Sequence, residues 1–337
     1  MKAMVMEKLG VTNLALRDVP DPKPAAGELL VRMRAASLNF RDLLTLDGKY
    51  GSMQKRENLI LLSDGAGEIV EVGAGVTEWK VGDRVVGCFF PRWQDGAANE
   101  TVLGGALGGQ ADGVACEYRV FGREEIVAIP PSLSFVEAAT LPCAALTAWS
   151  AVRGLVNLGP EDTVLTQGTG GVSLFAIQFA KAAGATIIST SSSAEKLARV
   201  SALGATHAIN YREDAEWGKT ARKLTQGRGV DLVVEVGGAG TIKQSIRASR
   251  MGATIAMIGV VSGPSLEFAL PLIIMNLLHV VGLTCGSRRQ FADMLRTIDR
   301  HGIKPVIDKT FSLQELPAAL ARLQTGGHVG KICIEMG

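Results

Sequence analysis

Histidine is absent from the first 206 residues of this chain, and the whole sequence holds only four histidines, the first of them His207. Cysteine is scarce as well: the five cysteines stand at positions 88, 116, 143, 285 and 333, and no two of them form a C-x-x-C pair. An odd number of widely spaced cysteines argues against a disulfide framework and against a zinc knuckle. The first 206 residues therefore offer no imidazole for metal binding or proton transfer, and reduced thiols fit best.

The sequence also lacks a large excess of either positive or negative charge. The chain has 35 Lys and Arg against 33 Asp and Glu, so its formal net charge is +2, and aromatic residues make up 5% of the sequence. Without a basic tract or aromatic residues interleaved with basic ones, the sequence gives no indication of nucleic-acid binding. A small molecule is the expected partner.

No apolar run is long enough to suggest a membrane protein. The most apolar stretch, 268–284, is interrupted by Pro271, Asn276 and His279, and we expect a buried helix and a strand there. The N-terminal segment 1–8 lacks the apolar core of a secretory signal. A cytoplasmic location without membrane attachment is the expectation.

The length of 337 residues exceeds one ordinary core and suggests two domains. Up to about Pro130, apolar and polar residues alternate in short runs such as 67–73 and 81–87, a pattern typical of half-buried antiparallel strands. From Thr163 onward, strand and helix patterns alternate, which indicates βαβ units on a parallel sheet. The expected domains are 1–130, completed by 286–337, and 131–285.

The parallel-sheet domain is predicted to contain six strands, which suits a dinucleotide-binding sheet. The predicted strands are 163–167, 186–190, 207–210, 231–236, 253–259 and 279–284. The predicted helices between them are 172–183, 194–203, 213–225 and 240–249. Ser132 and Ser134 are N-cap candidates for an earlier helix, and a helix 288–301 and a closing strand 330–335 follow the sheet.

The clearest motif is a glycine-rich turn between a strand ending at Gln167 and an apolar helix beginning at Val172. The turn consists of Gly168, Thr169, Gly170 and Gly171. Glycine is needed where a Cβ would keep the backbone away from a pyrophosphate, and the helix N-terminus supplies free N–H groups. Ser173 replaces the last glycine of G-x-G-x-x-G, at a position that packs the helix on the strand. The motif predicts a Rossmann dinucleotide site; a glycine turn without a ligand is the alternative.

The end of the next strand distinguishes NAD from NADP. No carboxylate stands at this strand end, where an acidic residue would bind the ribose 2′-hydroxyl of NAD. Serines occupy 191–193 instead, and Lys196 could meet a 2′-phosphate as a point charge. NADP(H) is therefore the predicted cofactor. The alternative is that the serines only cap the following helix and that Lys196 is solvated.

With these features in place, the chain resembles the medium-chain dehydrogenase/reductase superfamily, in particular its zinc-free quinone oxidoreductase-like branch. Besides the glycine turn, the matching segments are 36–42, 64–70, 82–85, 141–149 and 209–212. The resemblance spans almost the whole chain. It implies an α/β fold: a GroES-like β-rich substrate domain formed by both termini, a Rossmann doubly wound parallel sheet between them, and hydride transfer in a cleft at their junction.

The resemblance also implies which residues meet the cofactor. The pyrophosphate would lie on the turn, at Gly168, Thr169, Gly170, Gly171 and Val172. The adenosine 2′-phosphate would meet Ser192, Lys196 and Tyr211, the ribose would lie near Gly237 and Gly259, and the nicotinamide would be surrounded by Asn39, Thr147 and Gly286.

Zinc-binding members of this superfamily place a cysteine near Asn39, a His-Glu pair where this chain has Ser63 and Asp64, and a later cysteine that corresponds to Cys143. Only Cys143 remains, and the four-cysteine lobe that binds structural zinc is also missing. Because zinc needs three or four well-placed ligands, no metal is expected. Cys143 is then interpreted as a small buried residue, with a ligand or a nucleophile as the alternative.

Without a Lewis acid, the reduction of a conjugated carbonyl loses less catalytic assistance than the oxidation of an alcohol does. A quinone or enone accepts hydride at a carbon activated by its own conjugation, so the protein need only position it, bind its oxygen and supply a proton. Tyr50 is the candidate proton donor, because its position looks like that of the tyrosine in the family's enoyl-thioester reductases. The alternative is that Tyr50 only lines the site. Asn39 could bind the substrate oxygen or the cofactor's ribose. Arg41 and Asp42 could equally form a structural ion pair or touch a ligand, and they receive no catalytic role.

The expected function is an NADPH-dependent reductase of quinones or α,β-unsaturated carbonyls. An NAD(P)-dependent alcohol dehydrogenase and a non-catalytic dinucleotide-binding protein remain the alternatives. The last strand of the parallel sheet, 279–284, is strongly apolar for an edge, and an exposed edge invites pairing with another chain. Relatives pair at this edge, so a homodimer is expected.

Overall fold

The computed structural model describes residues 1–51, 54–55, 57–263, 265 and 270–337. The chain forms two compact units, Met1–Leu146 with Cys285–Gly337, and Thr147–Thr284. Residues 131–146, which we expected in the parallel-sheet domain, therefore cluster with the first unit. The reason is local: the Ser37 hydroxyl donates to the Ala139 carbonyl at 2.9 Å, and the Cys143 N–H donates to the Asp64 carboxylate at 3.0 Å.

The strands are β1 (Lys2–Lys8), β2 (Leu14–Asp18), β3 (Glu28–Ser37), β4 (Glu57–Ile60), β5 (Asp64–Val72), β6 (Arg84–Gly87), β7 (Tyr118–Gly122), β8 (Ile126–Ala128), β9 (Thr163–Gln167), β10 (Thr186–Ser191), β11 (His207–Asn210), β12 (Val230–Glu235), β13 (Ser249–Met257), β14 (His279–Gly282), β15 (Ile307–Ser312) and β16 (Lys331–Glu335). The helices are α1 (Phe40–Leu46), α2 (Glu100–Leu103), α3 (Phe135–Ala139), α4 (Leu146–Trp149), α5 (Gly171–Ala182), α6 (Ala194–Leu203), α7 (Trp217–Leu224), α8 (Ile242–Ala248), α9 (Leu270–Met275), α10 (Arg288–His301) and α11 (Leu316–Gln324).

The first unit is β-rich, as predicted. Its larger sheet has the order β15-β16-β3-β5-β6-β8, with β7 also paired to β3, and its smaller sheet has the order β2-β1-β4. Alternate residues of the long central strand β3, including Leu29, Val31 and Met33, are buried in one apolar core. The C-terminal strands β15 and β16 complete this larger sheet, in which β16 pairs with β3. The expected return of the C-terminus to the first domain is thus observed.

The second unit contains a parallel sheet in the order β11-β10-β9-β12-β13-β14. This is the strand order of a doubly wound dinucleotide-binding fold, which confirms the predicted fold class. The order reverses beside β9, a strand whose residues are all buried. In such sheets ligands bind at the carboxyl ends of the strands where the order reverses, and the glycine turn lies at that end of β9.

Helix starts follow the local capping chemistry. Ser134 and Glu137 form a reciprocal capping box at the start of α3, whereas the Ser132 hydroxyl caps no helix and donates to Asp299 instead. The helix predicted at 213–225 begins only at Trp217. Residues 213–216 form a turn there, in which the Asn210 side chain bonds Glu213 at 2.6 Å.

One prediction is wrong in part: the helix in the apolar stretch 268–284 is not buried. Leu270, Ile274 and Met275 of α9 are 60%, 65% and 72% exposed, and of this helix Ile273 is the residue that packs against the core of the unit. The helix directly precedes β14, the strand at one edge of the parallel sheet. Phe268 and Ala269 lie outside the described residues. None of the helices in the described ranges is long and apolar enough to span a membrane.

Candidate functional site

Asn39 lies at the start of α1 within a buried hydrogen-bond network. Its side-chain oxygen accepts from the Lys331 ammonium at 2.5 Å, and its amide nitrogen donates to the Ser63 hydroxyl at 3.4 Å. Lys331 comes from β16, is 4% exposed, and also donates to the Leu38 carbonyl. The backbone N–H of Asn39 donates to Asp42 at 2.7 Å. The Asn39 side chain is therefore held by two partners, Lys331 and Ser63, and its backbone N–H by a third.

The network continues through Ser63 and Asp64, which are fully buried at the start of β5. The Ser63 hydroxyl donates to one oxygen of Asp64 at 2.6 Å, and the backbone N–H of Cys143 donates to the other at 3.0 Å. Both oxygens of the Asp64 carboxylate are thus used by neighbours within the unit. Sequence reasoning did not place Lys331 in this network, because the chain separates it from Asn39 by 292 positions.

The resemblance implies that zinc-binding members hold their metal at these positions, and the residues present here do not fit a zinc ion. The oxygen of Asn39 is bonded to an ammonium, and a second cation beside Lys331 would be repelled. A hydrogen bond between the side chains of Cys143 and Cys285, together with burial, raises the pKa of the Cys143 thiol well above its usual range, whereas zinc binds the thiolate. No group of three or more His, Cys, Asp or Glu in the described part of the chain could hold a metal ion.

All five cysteines, each within the described ranges, are thiols rather than disulfides. Cys143 packs on an apolar cluster that contains Phe89, Phe90, Trp93 and Cys285. Burial raises the pKa of Cys88 to about 12, as it does for Cys116 and Cys333. Cys143 is partly exposed rather than buried as expected, but its raised pKa keeps the thiol protonated, and a protonated thiol is a poor nucleophile.

Tyr50 follows the end of α1 and is partly exposed. Its backbone N–H donates to the Gln54 side chain at 2.8 Å, and Gln54 in turn donates to the Thr45 carbonyl of α1 at 3.0 Å. The guanidinium carbon of Arg41 lies 4.6 Å from the centroid of the Tyr50 ring. Burial raises the pKa of Tyr50, and the positive charge of Arg41 opposes that rise. The hydroxyl is therefore protonated at neutral pH, as a proton donor must be.

Asp42 gives this site a defined pH dependence. The carboxyl group is fully buried, and burial raises its pKa from 3.8 to about 6. Since the folded state holds the proton more tightly, the stability that this group contributes is complete below pH ~4 and is lost as the pH rises through about 6, by ~3 kcal/mol at most.

Asp42→Asn should remove this dependence. In urea unfolding at a series of pH values, the stability of the variant relative to wild type should improve between pH ~4 and ~7 by up to ~3 kcal/mol. Asp299→Asn, at an exposed position of α10, is the control and should leave the curve parallel to wild type. If the Asp42→Asn curve also stays parallel to that of wild type, folding does not raise the pKa of the Asp42 carboxyl.

The glycine turn has the geometry that a pyrophosphate needs. Gly168 has a φ of +71°, in the left-handed region that favours glycine, and its N–H donates to the Thr190 carbonyl at 2.7 Å. A Cβ added to Gly168 or Gly170 would meet no atom within 4 Å, so the space beside the turn is open. Gly170 is the N-cap of α5 and offers no side-chain cap to the N–H groups of the first helical turn. An anion fits there.

Ser173 and Gln167 join the turn to the rest of the unit. The Ser173 hydroxyl, 1% exposed, donates to the Gln167 carbonyl at 2.6 Å, which ties α5 to the end of β9. The Gln167 amide donates at 2.8 Å to Glu235, a fully buried carboxylate at the end of β12. Glu235 also accepts from the N–H groups of Gly237 and Gly238, both at 2.9 Å. This carboxylate network holds the loop after β12, and no sequence motif pointed to it.

Gly237 and Gly259 each have a packing reason to be glycine. A Cβ on Gly237 would lie 2.3 Å from the Thr241 hydroxyl oxygen, and one on Gly259 would lie 2.3 Å from the Val236 carbonyl oxygen. The loops after β12 and β13 therefore approach each other closely at the carboxyl end of the sheet. Their role near the ribose stays a prediction.

The residues predicted around the 2′-phosphate come together at two neighbouring strand ends. β10 and β11 pair in parallel, and the Tyr211 N–H donates to the Ser191 carbonyl at 3.1 Å. Ser193, not Ser192, is the N-cap of α6, where its hydroxyl accepts from the Lys196 N–H at 3.4 Å. Capping therefore uses one serine and leaves Ser192 outside that role. Lys196 lies in the first turn of α6.

The three residues predicted around the nicotinamide belong to different units. Asn39 and Gly286 lie in the first unit, where Gly286 follows Cys285, a residue with a left-handed φ of 37°. Thr147 is the first residue of the second unit and is 3% exposed. Their shared role at the nicotinamide stays a prediction.

Comparison with known proteins places the chain among dehydrogenases. The family model described as an alcohol dehydrogenase GroES-like domain matches residues 25–131, and the one described as a zinc-binding dehydrogenase matches residues 171–300. A zinc-type alcohol dehydrogenase-like protein of Schizosaccharomyces pombe is 41% identical, over 92% of this chain and 91% of its own.

Two further proteins match along nearly their whole length. An acryloyl-coenzyme A reductase of Metallosphaera sedula is 30% identical, over 99% of each chain. The crystal structure of a putative alcohol dehydrogenase from Sinorhizobium meliloti 1021 superposes with a TM-score of 0.94 at 39% identity, over 99% of this chain and 98% of the other.

Proposed function

This chain belongs to the medium-chain dehydrogenase/reductase superfamily and is an oxidoreductase of that superfamily, and we propose that it reduces α,β-unsaturated carbonyls or quinones with NADPH and without zinc. The observation that carries the proposal is the ammonium of Lys331 bonded to Asn39, in a network whose donors and acceptors already satisfy one another. A site built around an internal cation has no ligand set to offer a metal.

A metal-free site favours substrates that are electrophilic by their own conjugation. An alcohol needs help to lose its proton as the hydride leaves, and zinc provides it by lowering the pKa of the bound alcohol. An enone or quinone needs a hydrogen-bond donor for its oxygen and a proton for the resulting enolate. The reductase of acryloyl-coenzyme A among the relatives acts on such a conjugated carbonyl, a thioester.

We propose a separate role for each of the following residues. The turn of Gly168 to Val172 would hold NADPH, which would supply the hydride. The amide of Asn39, oriented by Lys331, binds an oxygen of the substrate or of the cofactor's ribose. The Tyr50 hydroxyl gives its proton to the enolate carbon, and the aromatic cluster around Phe89 keeps that end of the site apolar.

The preference for NADPH over NADH rests on the ends of β10 and β11. The strand end at Ser191 has no carboxylate to bind a ribose 2′-hydroxyl, while Ser192 and Tyr211 follow the ends of two paired strands and Lys196 lies in the first turn of α6. We propose NADP(H) as the cofactor on this basis.

The proposal is tested by following NADPH and NADH consumption with a panel of quinones, enals, enones, an acryloyl thioester and simple ketones. Conjugated substrates should be reduced with NADPH in the presence of a chelator, at rates well above those with equal NADH. Loss of activity in chelator and its return with zinc would instead support the alcohol dehydrogenase alternative. Tight NADPH binding without turnover of any compound would support the non-catalytic one.

We also propose that the chain forms a homodimer through the edge of its parallel sheet. β14 is an edge strand of that sheet, and the exposed apolar residues beside it are Leu272, Ile274, Met275 and Leu277. An apolar patch along an open strand edge is typical of a pairing surface.

Ile274→Asp should therefore give a monomer in light scattering coupled to size-exclusion chromatography, because a charge would be buried in an apolar interface. Leu224→Asp, on an exposed position of α7, is the matched control and should stay dimeric. A monomeric wild type, or a dimeric Ile274→Asp variant, would contradict pairing at this edge.

A further inference from the structure

Arg41 is a buried cation that ordinary structural reasons do not account for. It is 6% exposed, and one guanidinium nitrogen donates to the Leu107 carbonyl at 2.8 Å. Its other two nitrogens, Nε and Nη2, have no hydrogen-bond partner among the described residues. A buried charged group with unused donors is unfavourable by several kcal/mol unless something offsets it.

The neighbouring carboxylate offsets this charge only weakly. The Asp42 oxygen lies 3.8 Å from Arg41, beyond hydrogen-bond distance, and the same oxygen has no hydrogen-bond partner in the described part of the chain. With burial raising the pKa of Asp42 to about 6, much of the counter-charge is absent near that pH. Arg41 and Asp42 are thus not the simple structural ion pair that their sequence suggests.

What Arg41 does contact is aromatic. Its guanidinium carbon lies 4.6 Å from the ring centroid of Tyr50 and 5.3 Å from that of Phe89. A guanidinium on an aromatic face is attracted by the ring's quadrupole, and the rings cover the nitrogens that lack hydrogen bonds. The Leu107 carbonyl and the Phe89 ring hold the Arg41 guanidinium, and the guanidinium in turn holds the Tyr50 ring.

We propose that Arg41 is the positioning residue of this site: it holds the Tyr50 ring and stabilises the negative charge left on the Tyr50 oxygen when the hydroxyl gives up its proton. This inference rests on the proposed function and deepens it. Hydride addition at the β-carbon leaves an enolate; the Tyr50 O–H bond then breaks, a C–H bond forms at the α-carbon, and water later restores the proton to the phenolate. During that interval the phenolate faces the Arg41 cation.

Two cysteines act on the pKa of Tyr50 in the opposite direction to Arg41. These are the thiols of Cys143, in the turn before α4, and Cys285, at the start of the returning segment. Burial raises the pKa of Tyr50 first, and both thiols add to that rise. Arg41 is the cation that opposes them, so its removal should be felt directly by the Tyr50 hydroxyl.

The test is a phenolate titration by ultraviolet absorbance, which needs no substrate. The chain contains three tyrosines, Tyr50, Tyr118 and Tyr211, and the difference between wild type and Tyr50→Phe assigns the Tyr50 signal. In Arg41→Gln the midpoint for Tyr50 should rise by about 1 to 3 pH units, since an opposite charge at this distance has effects of that size. Arg41→Lys, which keeps the charge, should restore part of the shift.

The basic limb of the pH profile of turnover should move by the same amount in Arg41→Gln. An unchanged midpoint in a folded Arg41→Gln variant overturns the proposal. If that variant does not fold, Arg41→Lys decides: a lysine keeps the charge but lacks the planar guanidinium that lies on the ring, so a Tyr50 midpoint above that of wild type supports the proposal and an unchanged one overturns it. Because the titration is read without substrate, a failed reductase proposal would show as absent turnover with the Tyr50 shift intact.

Discussion

Tyr50→Phe is expected to lower turnover of a conjugated carbonyl by about 10²-fold or more, while the affinity for NADPH stays unchanged. The reason is that phenylalanine keeps the ring on the Arg41 guanidinium and removes only the hydroxyl that donates the proton. Cofactor affinity should not change, because Tyr50 is not among the residues predicted to contact the cofactor. Steady-state rates with saturating NADPH and a fluorescence titration of the cofactor measure the two quantities.

Tyr118→Phe is the matched control for this experiment. Tyr118 begins β7 in the same unit and loses the same hydroxyl, so it should retain wild-type turnover. If Tyr50→Phe is as active as Tyr118→Phe, then Tyr50 only lines the site, and the proton comes from another group or from water.

Lys196→Ala is expected to raise the dissociation constant for NADPH about 10- to 100-fold and to leave that for NADH nearly unchanged. A hydrogen bond between charged groups contributes about 1.5 to 3 kcal/mol, which corresponds to this range. The two cofactors differ only at the 2′-phosphate, so the difference between the two effects isolates the contact there. Equilibrium titration of both cofactors against both proteins is the measurement.

Lys219→Ala controls for the loss of a positive charge on the same unit. Lys219 is exposed on α7, where it pairs with Glu216 at 2.6 Å, and its replacement should affect both cofactors little and equally. An equal loss of NADPH and NADH affinity in Lys196→Ala would contradict a 2′-phosphate contact. In that case the serines at the end of β10 serve the helix cap alone.

Much of the second unit could be predicted from the sequence, because each strand and helix there has a local signal. β9, β11 and α6 have the predicted bounds, and the glycine turn falls between β9 and α5 as expected. These elements are bounded by glycines, serine caps and sharp changes of period, which act over a few residues. The strand order then follows from the rules for βαβ units.

The polar networks could not be predicted in the same way, because they join distant parts of the chain. Lys331 reaches Asn39 from the last strand, and Glu235 reaches Gln167 from β12. Neither pair has a spacing that a motif could reveal. The exposed helix α9 was mispredicted for a related reason: an apolar composition indicates burial but does not show whether the same chain provides the cover.

Arg41 and Asp42 show where sequence proximity misleads. Their adjacency suggests an ion pair, yet the pair is long at 3.8 Å and the guanidinium contacts rings instead. Only the fold brings Phe89 and Tyr50 to Arg41. Residues that follow a predicted site residue along the chain therefore merit the same structural scrutiny as the site residue itself.

The central claim is hydride transfer to a conjugated carbon without zinc. The most direct test uses NADPH deuterated at the transferring position of the nicotinamide, an enone substrate, and protein shown by metal analysis to hold no zinc. We predict a saturated carbonyl product with deuterium on its β-carbon, located by NMR. Deuterium on the carbonyl carbon, in an allylic alcohol, or a reaction that proceeds only after zinc is added, would contradict the account.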